Sequence, residues 1–126
     1  MKTAFITWIL LLTIFSVLPY SDSVDQPLTF YKLSNSGFFI HLFSFFIAAL
    51  LCSKAFNMNS FNLVLSSGIT IFLYSLILEA IQIFLPYRTY NYYDILANFV
   101  GIALGIIIFY FLSQKRESKL IVDTCG

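Results

Sequence analysis

Four long stretches of this chain are almost free of charge, and that single pattern limits what it can fold into. A helix needs about 20 apolar residues to cross roughly 30 Å of hydrocarbon. Residues 3–21, 33–53, 61–85 and 95–112 each come close to or exceed that length. Glu79 is the only acidic or basic side chain inside any of them, histidine aside. Composition agrees: 60% of the residues are hydrophobic and 10% are charged, against about 45–50% and 25% in an ordinary soluble domain. The mean hydropathy is +0.88. Too little polar surface remains to cover a water-soluble particle. An aromatic content of 19% excludes a disordered chain, because disordered segments are poor in aromatics. A net charge of +1 excludes a nucleic-acid binder, since such binding rests on neutralising phosphates.

The expected fold is all-α, an integral membrane four-helix bundle forming one domain over residues 1–126. Its helices are expected over about 4–20, 36–54, 61–85 and 94–113, with a tail over 114–126. Pro19 and Pro86 fall where helices should end, and Lys54 closes the second run with a stem that can snorkel to the interface. The first run also has some features of a signal peptide, with Lys2 ahead of an apolar stretch. Its apolar core is longer than about 7–15 residues and no A-x-A pattern follows, so a retained span is the better reading.

Short loops rich in Lys and Arg stay cytoplasmic. With four spans, Lys2, Lys54, Lys115, Arg116 and Lys119 share one side and only Lys32 and Arg88 the other. Both termini are therefore expected in the cytoplasm. The outer loops also hold Phe30, Tyr31, Tyr87, Tyr90, Tyr92 and Tyr93, which suits an interfacial aromatic belt. Cys52 and Cys125 read as a packing residue and a tail thiol, with no disulfide or metal pairing between them.

Polar groups inside a span are costly and normally face a bundle interior or a water-filled cavity. On the third helix Gly68, Ser75, Glu79 and Gln82 recur at spacings that share one face, and on the fourth so do Asp94, Asn98, Gly101 and Gly105. Gly101 and Gly105 form a small-xxx-small pair that lets another helix approach closely. His41, Ala48 and Cys52 share a face of the second helix. By depth, His41, Glu79, Gln82, Asp94 and Asn98 all belong to the outer half, with Arg88 in the loop above them.

Each residue also has a plainer reading. Asp94 suits an N-cap, Asn98 suits interhelical glue, Pro86 can simply stop a helix, and Arg88 can pair with Asp94 or with lipid phosphate. His41 alone can be a hydrogen-bonded buried imidazole. Glu79 is the hardest to set aside, because a buried carboxylate must be paired or protonated. Together the residues allow Glu79 and His41 to act as an acid and base pair, and Arg88 to hold a phosphate or carboxylate, with Gln82, Asp94 and Asn98 as further ligand contacts. A metal held by His41, Glu79 and Asp94 is unsupported, as no H-x-x-x-H or Cys-rich spacing occurs. No cofactor is implied.

The segment from Glu79 to Gly105 reads E-A-I-Q-I-F-L-P-Y-R-T-Y-N-Y-Y-D-I-L-A-N-F-V-G-I-A-L-G. It resembles the signature of the VanZ-like family of small bacterial membrane proteins, E-x-x-Q-x-F-x-P-x-R followed by D-x-x-x-N-x-x-G-x-x-x-G. Glu79, Gln82, Phe84, Pro86, Arg88, Asp94, Asn98, Gly101 and Gly105 stand at the matching positions. His41, in F-I-H-L-F-S-F-F, matches the family's second-helix histidine, and F-S-V-L-P matches the close of its first span. Many relatives carry an acid and a base one turn before that histidine and a tyrosine one turn after it. Here Lys32 lies nine residues upstream and Phe45 holds the tyrosine position, so no hydroxyl there can carry a proton.

The resemblance implies a cell-envelope role in a bacterium, and the family's founding member is associated with low-level teicoplanin resistance. Three functions are weighed for the outer cluster. The leading one is binding of an anionic lipid headgroup or a lipid-linked glycan at the outer leaflet of the inner membrane. The second is a transferase or hydrolase using Glu79 and His41, and the third is structural glue with no ligand. Permeation has least support, because residues 105–112 continue no polar path inward.

Overall fold

The computed structural model describes residues 1–18, 37–86 and 91–125, with side chains through Arg116 and at Ser118. These residues form four helices: α1 (Lys2–Val17), α2 (Phe38–Ala55), α3 (Phe61–Ile83) and α4 (Tyr92–Cys125). No strand occurs among the described residues.

Local chemistry sets the helix ends. Leu18 is extended, with ψ at 140°, as expected for a residue whose helical conformation is opposed by the following Pro19. The first helix therefore stops at Val17, short of the expected residue 20. Its 16 residues rise about 24 Å, less than the roughly 30 Å of a bilayer core. Among the described residues three helices are long and apolar enough to cross a membrane, α2, α3 and the Tyr92–Arg116 part of α4, while α1 is shorter.

Gly37 precedes α2 with φ at +71°, a left-handed conformation that glycine adopts without strain. Asn57 takes φ at +48° in the next turn, and Ser60 caps α3 by accepting from the Leu63 N–H at 3.4 Å. At the far end the Phe84 and Leu85 N–H groups tighten onto the carbonyls of Ile81 and Gln82. Pro86 follows, and α3 ends two residues earlier than expected.

The fourth helix begins at Tyr92, because Asn91 supplies the cap: its Oδ1 accepts from the Tyr93 N–H at 3.2 Å. Asp94 is thus not the cap. It lies in the first turn, where a carboxylate suits the positive end of the helix dipole. The expected tail over 114–126 is largely a continuation of α4, helical through Cys125. No Gly or Pro interrupts residues 114–124, and Gln, Lys, Arg and Glu favour helix. The whole helix of 34 residues is about 51 Å long.

The second helix is central and touches the other three, with its largest contact on α4. Gly101 and Gly105 make that contact possible. A Cβ on Gly101 would collide with the Leu42 carbonyl oxygen, and one on Gly105 would lie 2.8 Å from Ala49 Cβ and 2.9 Å from the Phe46 carbonyl oxygen. Gly68 of α3 gives the same room to Ile106 of α4. The first helix lies outside this group, against α2 and α3, and buries none of its residues.

The resulting distribution is inverted relative to a soluble protein. Phe45, Ala48, Ala49, Val64, Ile71, Leu78 and Ile102 form an apolar centre, but Ser53, Ser67, Ser75, Glu79, Gln82, Asp94 and Asn98 are buried as well. Large apolar side chains point outward along every helix, among them Leu10, Ile40, Ile69, Ile77, Phe99 and Phe111. An apolar exterior around enclosed polar groups is the arrangement that hydrocarbon requires, and this is a membrane protein.

Candidate functional site

His41 lies in the first turn of α2, Glu79 in the last turns of α3, and Asn98 in the second turn of α4. Those three ends meet. His41 Nδ1 is 3.1 Å from Asn98 Oδ1, and Asn98 Nδ2 donates to Glu79 Oε1 at 3.2 Å. The direct separation of His41 Nδ1 and Glu79 Oε1 is 3.6 Å. That is too long for a hydrogen bond, though close enough for the two groups to influence each other's protonation. Asn98 therefore bridges an acid and an imidazole, fully buried and with both ends of its amide engaged. Glu79 is 4% exposed and His41 21%, so the imidazole is the accessible member.

Gln82 shares the buried face of Glu79 but turns elsewhere. Its Nε2 donates to the Ser16 carbonyl of α1 at 3.2 Å, which makes it a fastener for α1. Asp94 is buried one turn before Asn98 on the same face of α4. Arg88, Lys32, Phe30, Tyr31, Tyr87 and Tyr90 lie outside the described residues. Tyr92 and Tyr93 are exposed at the start of α4. Among the described residues, no third His, Cys, Asp or Glu joins His41 and Glu79 in a set that could hold a metal ion.

The cluster stands on an apolar floor. Ser75 Oγ donates to the Phe72 carbonyl at 2.8 Å and Ser67 Oγ to the Val64 carbonyl at 2.7 Å. Both hydroxyls are thus satisfied within their own helix, and Ile71, Ile102 and Ile106 belong to the buried apolar cluster, the last two against Gly68.

Several polar contacts escaped the reading of the sequence. Trp8 Nε1 donates to the Ser44 carbonyl at 3.0 Å. Tyr74 OH shares a 2.7 Å hydrogen bond with Thr13 Oγ1 and donates to the Ile9 carbonyl at 3.2 Å. With Gln82, these bonds supplement the packing of a helix whose Phe5, Trp8, Ile9 and Leu12 are only partly buried against the core. The available signal was the presence of Trp, Thr and Tyr in otherwise aliphatic spans, where a polar tip needs a partner on a neighbouring helix.

No curated protein and no solved structure gives a match to this chain. The sequence model of the VanZ/LLP1 family matches residues 2–113, which takes in α1, α2, α3 and most of the membrane-length part of α4, and the chain belongs to that family.

Proposed function

We propose that this protein is a multi-pass protein of the bacterial cytoplasmic membrane with a cell-envelope role, binding a lipid headgroup or lipid-linked glycan at the outer-leaflet ends of its helices. One observation carries the reading: three helices contribute His41, Asn98 and Glu79 to a single hydrogen-bonded group at one end of the molecule, above an apolar floor. Buried, linked polar groups at one depth are costly in hydrocarbon, and such groups normally mark a ligand or proton site. In this reading Arg88 meets the phosphate of an anionic headgroup, His41 meets the headgroup from below, and both termini face the cytoplasm. Resistance to a glycopeptide of the teicoplanin type would follow if the bound component were one that the antibiotic also needs.

Acid–base chemistry at the same place is the second reading, favoured by the 3.6 Å between His41 and Glu79. In that case the site would act on a phosphate-bearing lipid as a transferase or hydrolase.

Native mass spectrometry of the protein released from its own membrane tests both. The parent is expected to retain a headgroup-bearing lipid that folded Glu79→Gln and Arg88→Ala variants lose. If the folded variants retain the same lipids as the parent, headgroup binding at this site is wrong. Conversion of the retained lipid on incubation, lost in His41→Gln, would favour the enzymatic reading.

A further inference from the structure

Positive charge collects at the end of the molecule opposite the His41 cluster. Lys2 opens α1, Lys54 lies in the last turn of α2, and Lys115 and Arg116 follow Tyr110 of α4, whose ring meets that of Phe61 at the start of α3. All four are exposed. With Lys119, this end holds five basic residues against the acids Glu117 and Asp123, a surplus that suits an anionic partner. Lys2 is anchored there: its Nζ sits 5.8 Å from the centre of the Phe56 ring, and Phe56 meets Phe5 edge to face at 6.0 Å.

Phe5 also heads a groove. Between α1 and α3 a lateral opening of about 300 Å³ runs along Phe5, Ile9 and Leu10 on one side and Thr70, Ile71 and Tyr74 on the other. Its hydroxyls are already engaged. Thr70 Oγ1 donates to the Ser66 carbonyl at 3.0 Å within α3, and Tyr74 OH bonds Thr13 Oγ1 and the Ile9 carbonyl. The groove therefore presents hydrocarbon, and in a bilayer it suits a chain rather than water. It starts one turn from Lys2 and reaches Leu10, about 12 Å further along α1. A phospholipid has the matching form, a phosphate at the interface and chains running inward from it.

We propose that the seam between α1 and α3 holds an anionic phospholipid, with an acyl chain in the groove and the phosphate on Lys2 and Lys54. This site lies at the other end of the bundle from the headgroup site proposed above and does not depend on it. It is also independent of which leaflet that end faces, because the basic residues and the groove belong to one end of the chain. A lysine near a membrane surface favours an anionic lipid by about fivefold. Charge sets the preference for the lipid, and the groove sets its place.

Trp8 is the chain's one tryptophan and precedes Ile9 of the groove, so its fluorescence reports on lipid at this seam. The full-length protein is reconstituted in phosphatidylcholine containing either dibrominated phosphatidylglycerol or dibrominated phosphatidylcholine, bromine being a short-range quencher. At low salt the parent is expected to be quenched at a several-fold lower mole fraction of the brominated phosphatidylglycerol. Raised salt should weaken that preference, and Lys2→Ala combined with Lys54→Ala should remove most of it. Thr70→Phe fills the groove without cutting an interhelical bond and is expected to reduce the preference as well. Arg88→Ala is expected to leave it unchanged. Equal quenching of the parent by the two lipids overturns the proposal, whether or not any variant folds. A preference that survives the lysine substitutions or the filled groove also overturns it. Loss in Arg88→Ala would place the anionic lipid at the opposite end and overturn it too.

Discussion

Gly101 of α4 lies directly against the Leu42 carbonyl of α2, so close that a methyl group on Gly101 would collide with that oxygen. Leu42 follows His41, and Gly101 stands three residues after Asn98. The same contact that joins the two helices therefore brings the imidazole to the amide. Gly101→Ala is expected to destabilise the protein by about 1–3 kcal/mol, the usual cost of overpacking. It should also lengthen the 3.1 Å approach of His41 to Asn98. Thermal unfolding of the purified protein in detergent, compared with the parent, checks the first effect.

Removing the carboxylate of Glu79 leaves the Asn98 amide, 0% exposed, without its acceptor. An abandoned buried donor costs about 1–3 kcal/mol. Glu79→Ala is expected to lose at least that much, with a cavity added. Glu79→Gln keeps an oxygen in place and should lose less. Unfolding in graded mixtures of dodecyl sulfate and mild detergent would rank the two, and equal losses would contradict the bridging role of Asn98.

The first helix is held by polar bonds as well as by the packing of Phe5, Trp8, Ile9 and Leu12, so it should loosen when the bonds are cut. Tyr74→Phe removes the bonds to Thr13 and Ile9, and Gln82→Ala removes the bond to Ser16. Interhelical hydrogen bonds in membranes average about 0.6 kcal/mol with a maximum near 1.7. The double variant is expected to show faster hydrogen exchange in α1, with little change in α2 and α4. Unchanged exchange in α1 would mean that apolar contact alone holds it.

Orientation is open to direct measurement. A fluorescent reporter that matures only in the cytoplasm, fused after residue 126, is expected to be bright, and a phosphatase active only outside the cytoplasm silent. The opposite pattern would invert the topology drawn from Lys2, Lys54, Lys115, Arg116 and Lys119.

The reading of the sequence succeeded where hydrocarbon leaves few alternatives. An uncharged run in a bilayer must satisfy its backbone internally and so becomes a helix, and spacing along that helix put Glu79 with Gln82, and Asp94 with Asn98, on single faces that are buried. Details set by a few local atoms were harder to read. The cap of α4 moved from Asp94 to Asn91 because one side-chain oxygen reaches the Tyr93 N–H. The shortening of α1 came from the effect of Pro19 on Leu18, which acts one residue before the proline itself. Partner choice across helices was not legible at all. Gln82 and Glu79 lie one turn apart on one face, yet one reaches α1 and the other α4, a divergence fixed by helix rotation and separation. Asn98 read as either glue or ligand contact, and its bridging position depends on the close approach at Gly101.

The unbroken course of α4 has a mechanical consequence. Asn98 sits near one end of a rod of about 51 Å, and Lys115 and Arg116 ride on its other half. Without a hinge to absorb movement, a tilt that occupancy of the cluster imposed on the near end would swing the basic end through an arc. The cluster and the basic pair are thus two regions of one continuous helix, with no loop between them.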